Sequence, residues 1–145
     1  MRVGSGSNPQ FEYFPVTADQ GLRAWGKDLG EAYINAARGM FHLMIDSAGL
    51  SPSESRRIKV EAEDRESLLV AWLSELLYLY EVEGFLPLDY EIIQGGDQCL
   101  DVHLRGVIVD PMVHDLRGAV KAATYHLLEV KQERGKWFVQ VVLDM

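Results

Sequence analysis

Trp137-Phe138-Val139-Gln140-Val141-Val142-Leu143-Asp144-Met145 closes the sequence, and its reading decides the fold. Its later half is apolar at consecutive positions, so both faces are to be covered, the mark of a central strand. The strand then delivers Asp144 and, one residue on, the α-carboxylate of Met145. Two carboxylates at the end of an interior strand call for a counter-charge, because partial burial disfavours the ionised form of each. Oxygen ligands of this kind suit a hard cation, calcium or magnesium. The bland alternative leaves Asp144 in solvent at a fraying end.

Val120 to Val130 reads as the penultimate strand, joined to the last one around Arg134-Gly135. Alternation places Lys121, Ala123 and Tyr125 on one of its faces and Thr124 with His126 on the other. His126 is then a candidate to orient a ligating carboxylate, or a partly buried structural histidine. Upstream, Tyr90 to Ile93, a Gly95-Gly96-Asp97 turn and Cys99 to Val109 form a hairpin pattern, and Asp110-Pro111 opens a loop to about Gly118.

Two helices precede these strands. Asp28 and Glu31 have capping-box spacing, and Leu29, Ala32, Tyr33, Ala36, Met40, Phe41 and Met44 recur on one helical face. Gly49 and Pro52 are the expected stop. Asp64 opens the second helix, with Glu66 supporting its positive end. Leu69, Trp72, Leu73, Leu76, Leu77 and Tyr80 line that helix, and Gly84 and Pro87 end it. Between the helices, Ile58 to Glu63 alternates as a strand with one wet face.

Before them lie two short strands, Phe11 to Val16 and Gly21 to Gly26. Thr17-Ala18-Asp19-Gln20-Gly21 joins them as an Asx-type turn, with Gly21 in a backbone conformation other residues avoid. A sheet can set this turn beside the last strand, so that Asp19 and Asp144 share one cation. The order β-β-α-β-α followed by strands predicts an α+β domain: two helices on one face of a mixed, largely antiparallel sheet.

The bulk properties narrow the function. The chain of 145 residues fits one domain over 11–145 behind a flexible leader, residues 1–10, containing Gly4-Ser5-Gly6-Ser7-Asn8-Pro9. A net charge of −8, with no basic run longer than Arg56-Arg57, disfavours unaided RNA binding and favours a basic protein partner or a bound cation. The single cysteine, Cys99, excludes an intrachain disulfide and a thiolate metal cage, and its flanks make it a buried strand thiol. No stretch has the length of a membrane helix and the leader lacks the apolar core of a signal peptide, so a cytoplasmic protein is expected. There is no nucleophile elbow, no phosphate loop and no histidine pair at metal-ligand spacing, which leaves a conventional hydrolase or kinase without support.

Taken in order, these segments resemble the archease family from Phe11 to Met145. The likeness rests on Thr17-Ala18-Asp19 with Gly21, Ala24-Trp25-Gly26, Glu31-Ala32 and Asn35-Ala36-Ala37. It continues through Trp72-Leu73, Glu75-Leu76-Leu77, Lys121-Ala122 with Thr124-Tyr125-His126, and Val141-Val142-Leu143-Asp144. The resemblance implies a non-catalytic activator of a GTP-dependent tRNA-splicing RNA ligase, one that joins a 3′-phosphate to a 5′-hydroxyl end; the oligomeric state is left open, with a monomer the first expectation. Such a protein meets RNA only through the ligase, and promotes ligase guanylylation and multiple turnover. It also implies a divalent cation, calcium first and magnesium second, held by Asp19, Asp144 and Met145. Lys121, Tyr125 and His126 are then supporting or partner-contacting residues. One departure stands out: Pro15-Val16 occupies the place of the family's usual Asp-His before Thr-Ala-Asp. Two rival classes remain. One is a metal-independent chaperone-like binding module using Tyr33, Trp72, Tyr78 and Tyr80, residues whose spacing otherwise reads as core. The other is a small metal-dependent phosphoesterase, which needs more ligands than the sequence supplies.

Overall fold

The computed structural model describes residues 10–112, 114 and 116–145. Residues 1–9 of the leader, and residues 113 and 115 of the loop after Asp110, lie outside the described residues. Phe11–Val16 (β1) and Asp19–Gly26 (β2) form an antiparallel hairpin closed by the Val16–Asp19 pair. The turn is therefore only Thr17-Ala18, and Asp19 already belongs to β2. Ala18 takes the left-handed backbone at φ 64°, the role expected of Gly21. Gly21 is needed for space instead: a Cβ there would run into the Phe14 ring. Gln10, assigned to the leader, is tied down, accepting from the Trp25 N–H at 3.1 Å and from Asn35 Nδ2 at 3.0 Å.

Leu29–His42 (α1) starts where the capping box places it. Asp28 Oδ1 accepts the Glu31 N–H at 2.8 Å, while the Glu31 carboxylate reaches back to the Lys27 N–H at 3.3 Å. The helix ends at His42, short of Gly49. It touches β2 and β8 on one side and β4 on the other, which explains why it is buried nearly all round. Small residues permit this approach: a Cβ on Gly39 would come within 2.6 Å of Leu22 Cδ1.

Glu54–Glu61 (β3), longer than the alternation Ile58 to Glu63 predicts, leads to Arg65–Glu83 (α2). Asp64 caps α2 through the Ser67 N–H at 2.7 Å, and Gly84 closes it at φ 71°. Trp72 is wholly buried and donates its indole N–H to Tyr33 O at 2.9 Å; Tyr33 donates its hydroxyl to Arg65 O at 2.7 Å. The two helices are thus fastened by polar groups that burial would otherwise penalise. Desolvation pushes the Tyr33 phenol far above its ordinary range.

Phe85–Gly95 (β4) and Cys99–Ile108 (β5) make the expected hairpin, begun earlier than Tyr90 and carrying Pro87 in an edge strand. Their sheet has the order β3-β5-β4. On it Asp101, almost wholly buried, receives a bidentate pair from Arg57 at 3.0 and 2.7 Å, and that guanidinium holds its carboxyl below the usual range. Cys99 is free and half-buried at the start of β5.

The remaining strands are Ala122–Ala123 (β6), Glu129–Glu133 (β7) and Lys136–Asp144 (β8). β8 lies between β2 on one side and β6 with β7 on the other, the central position its apolar run predicts. Val139, Val141 and Leu143 enter the main core, and Val142 is buried on the opposite face. The α+β class holds. The strands divide, however, into a five-stranded and a three-stranded sheet, every pairing antiparallel, with one apolar core shared by both sheets and both helices.

The expected continuous strand Val120 to Val130 is broken. Ala123 pairs with Leu143 and Glu129 with Gln140, so six steps along the chain match three along β8. The surplus is extruded as Tyr125-His126-Leu127, all three exposed. Leu127 sits at φ 53°, where an ordinary side chain is disfavoured. The alternation of Lys121, Ala123 and Tyr125 against Thr124 and His126 therefore stops at the end of β6.

Candidate functional site

Strand pairing builds the site. The β2–β8 register ends at Gln20–Leu143, and the next residues of the two strands are Asp19 and Asp144. On the other side Asp144 pairs with Ala122 and accepts the Lys121 N–H through its main-chain oxygen at 2.7 Å. One end of the central strand thus gathers Asp19, Asp144, Met145 and the main chain of Lys121. Asp19 is half-buried, Asp144 and the Lys121 side chain are exposed, and Met145 packs against the core. Neither aspartate side chain has an ion-pair or hydrogen-bond partner among the described residues.

Two neighbouring carboxylates without a partner are the electrostatic condition that a cation relieves. Their oxygens, with that of Met145, have the hardness that calcium or magnesium requires, and the coordination sphere would be filled by water or by a partner's groups. Among the described residues, no group of three or more His, Cys, Asp or Glu side chains is arranged to hold a metal. The corner therefore offers two carboxylate side chains, not a closed cage.

His126 lies on the extruded segment, beside Gln140 to Val142 rather than at the strand end. Its main-chain N–H donates to Thr124 Oγ1 at 3.3 Å, and its ring has no hydrogen-bond partner among the described residues. Tyr125 is 64% exposed. Of the aromatic residues weighed for a binding face, Tyr33 and Trp72 are core and Tyr78 is 60% exposed. The departure Pro15-Val16 sits on β1, an edge strand, where the missing proline N–H is tolerated. Val16 faces Asp19 across the turn, so no polar side chain at that position supports the aspartate.

Two features escape a reading of the sequence. Leu127 is one; the adjacent pair Leu127-Leu128 breaks period-two alternation, and that was the available signal. The other is an open hollow of about 220 Å³ on the outer face of the larger sheet. There Arg23 bonds Gln140 at 2.8 Å, and Lys131 bridges Glu129 and Glu133 at 3.2 Å each. Its charges are already paired, and only spatial neighbours reveal it.

An α+β domain whose central strand ends in an acidic corner is what these elements define. The chain matches the Archease protein family (MTH1598/TM1083) over residues 11–145. It is 40% identical over 139 residues to the protein archease of Methanothermobacter thermautotrophicus, covering 93% of this chain and 98% of that one. With the protein archease of Sulfurisphaera tokodaii it shares 35% over 137 residues, covering 94% and 99%. Its structure is similar to the solution structure of Methanobacterium thermoautotrophicum protein 1598, with a TM-score of 0.80 at 36% identity over 95% of this chain and all of that one. A crystal structure described as an archease, possible chaperone, from Thermotoga maritima shares the fold at a TM-score of 0.64 and 22% identity, covering 91% and 96%. The chain belongs to the archease family. Among the described residues no helix is long and apolar enough to cross a membrane.

Proposed function

We infer that this chain is an activator protein, not itself catalytic, of a GTP-dependent tRNA-splicing RNA ligase in the cytoplasm. It promotes guanylylation of the ligase and its repeated turnover. The observation that carries this reading is the register that sets Asp19 beside Asp144, both without a side-chain partner among the described residues, at the end of β8 in a member of the archease family. Asp19, Asp144 and Met145 hold a divalent cation, calcium before magnesium, in this reading. When bound, that cation supplies positive charge able to steady phosphate oxygens during nucleotidyl transfer. The chain's own part is to hold two carboxylates rigidly on paired strands and to present them at a surface corner. Lys121 flanks the corner from the position just before β6, and Tyr125 and His126 stand on the segment after it. With a net charge of −8, the molecule favours encounter with a basic RNA-binding cleft.

The test combines the purified protein, the candidate ligase, GTP and an RNA broken to leave a 3′-phosphate and a 5′-hydroxyl. Multiple turnover only when both proteins are present supports the reading. Ligation or phosphate release by this chain alone would replace it with an enzyme.

A second reading, a metal-independent chaperone-like module, has one observation in its favour. Tyr78 and Val82, one turn apart on α2, are 60% and 62% exposed. It predicts suppression of aggregation that survives removal of divalent ions and loss of Asp144.

A further inference from the structure

Most exposed apolar side chains here stand singly or on a regular helix. Tyr125 and Leu127 do not. They are 64% and 52% exposed, and both lie on the three residues extruded where β6 and β7 fail to continue one another along β8. Leu127 holds φ at 53°, a conformation that suits glycine or asparagine. Folding alone favours a polar, left-handed-tolerant residue at such a point. A leucine there, facing solvent, breaks two local rules at once.

The segment is nevertheless fixed. Thr124 donates its N–H and its hydroxyl to Val142 O at 3.0 and 2.8 Å. The His126 N–H donates to Thr124 Oγ1 at 3.3 Å, and the Leu128 N–H to Tyr125 O at 3.4 Å. Gln140 Nε2 donates to Leu127 O at 2.9 Å. An apolar pair held out by its own backbone is ordered before any partner arrives, so binding loses little conformational freedom.

Its position says what covers it. Thr124 bonds Val142 and Leu127 O accepts from the Gln140 side chain, so the segment runs beside β8 from two to four residues short of Asp144, roughly 7 to 13 Å at the usual strand rise. A protein interface of ordinary size covers about 800 Å² on each partner, a patch much wider than that separation. A protein that docks on the acidic corner with a patch of that size, extended along the β6–β7 side of β8, covers Tyr125 and Leu127 as well. Resting on the function proposed above, we propose that Tyr125–Leu127 is a preformed docking knob that enters an apolar pocket of the ligase, next to the basic groups that meet the corner. Tyrosine and leucine fill the pocket, with the Tyr125 hydroxyl and His126 ring left to the polar rim.

Leu127→Gly tests this with opposite signs for folding and binding. Glycine keeps the backbone conformation and removes the side chain, so the melting temperature should hold or rise. Affinity for the ligase, measured by calorimetry with both full-length proteins, should fall about tenfold or more, in the range of a lost anchor residue. Tyr125→Ser should weaken it in the same direction. Calcium affinity of the free chain should be unchanged in both. If wild type stimulates the ligase and Leu127→Gly binds it equally well, the knob is overturned while the activator reading stands. A lower melting temperature for Leu127→Gly would overturn it too, by giving the leucine a structural role. Self-association of the wild-type chain that Leu127→Gly abolishes would assign the knob to a second copy instead. No binding of wild type to the ligase would remove the activator reading and the knob together.

Discussion

The two ends of β8 are served by hairpins of the same length and unlike quality. At the Lys136 end, β7 turns into β8 through Arg134-Gly135, with φ 51° and 78°. Two consecutive left-handed residues give the turn whose twist matches that of paired strands, and glycine occupies one of them. At the Asp144 end, β1 turns into β2 through Thr17-Ala18, and only the second residue is left-handed. That geometry favours glycine at the second position and fits a twisted hairpin less well. An alanine holds it, next to an aspartate with no side-chain partner among the described residues. A second segment with a left-handed residue, Tyr125–Leu127, runs beside β8 from its middle at Gln140 towards the same end at Val142. The Lys136 end departs from the rules of stable folding only at Arg134, in a turn whose geometry asks for a left-handed residue, whereas the other end combines Ala18, Leu127 and the exposed Asp144. Departures of this kind gather where a protein acts rather than where it is merely held together.

The sharpest way to break that contrast is to damage each end separately. Asp144→Ala should abolish stimulation of ligase turnover while the melting temperature stays within a degree or two, because an exposed, unpaired side chain contributes little to stability. Undiminished multiple turnover would end the claim that this corner acts. Gly135→Ala at the far end should do the reverse. A Cβ forced to φ 78° costs about 1–2 kcal/mol, offset by roughly 0.5–1 kcal/mol because alanine stiffens the unfolded chain, so urea unfolding should show a net loss of up to about 1.5 kcal/mol with stimulation per folded molecule unchanged. Between these lies the cation itself. Extending the chain beyond Met145 should weaken calcium binding in a calorimetric titration, and unchanged affinity would remove Met145 from the ligand set.

The same contrast explains what was legible in the sequence. Asp28 with Glu31, Asp64, Gly84 and the apolar faces of both helices report local rules, and each is found where the rule places it. The central position of β8 follows from its doubly apolar run. That its partners form two sheets does not, since strand pairing is decided by contacts far apart in sequence. The strand bounds erred where local signals are weakest: β4 starts before Pro87, an edge proline that no local pattern marks as paired. Val120 to Val130 misled because both halves do pair with β8, and the three extruded residues change the register without a glycine or proline to announce them. For the candidate site, Asp144 was readable from its place at a strand end. Its neighbour Asp19 rested on what a sheet can bring together, and on resemblance, until the register set the two side by side.

The smallest expected effect bears on the turn itself. If Thr17-Ala18 is strained, Ala18→Gly relieves it. The Ala18 methyl is exposed, so its removal forfeits no burial. Against that gain stands the greater freedom glycine gives the unfolded chain, worth roughly 0.5–1 kcal/mol against the strain of about 1–2 kcal/mol at φ 64°. The balance favours the variant by about 0 to 1.5 kcal/mol. Chemical denaturation resolves a change of that size when wild type and variant share one slope. The Val16–Asp19 pair already fixes where Asp19 stands, so calcium affinity should move by less than about twofold, below the ~1.4 kcal/mol that a tenfold change represents. A variant less stable than wild type would show that Ala18 fits its place. The two hairpins would then differ in sequence but not in strain, and the asymmetry between the ends of β8 would rest on Asp19, Asp144 and Leu127 alone.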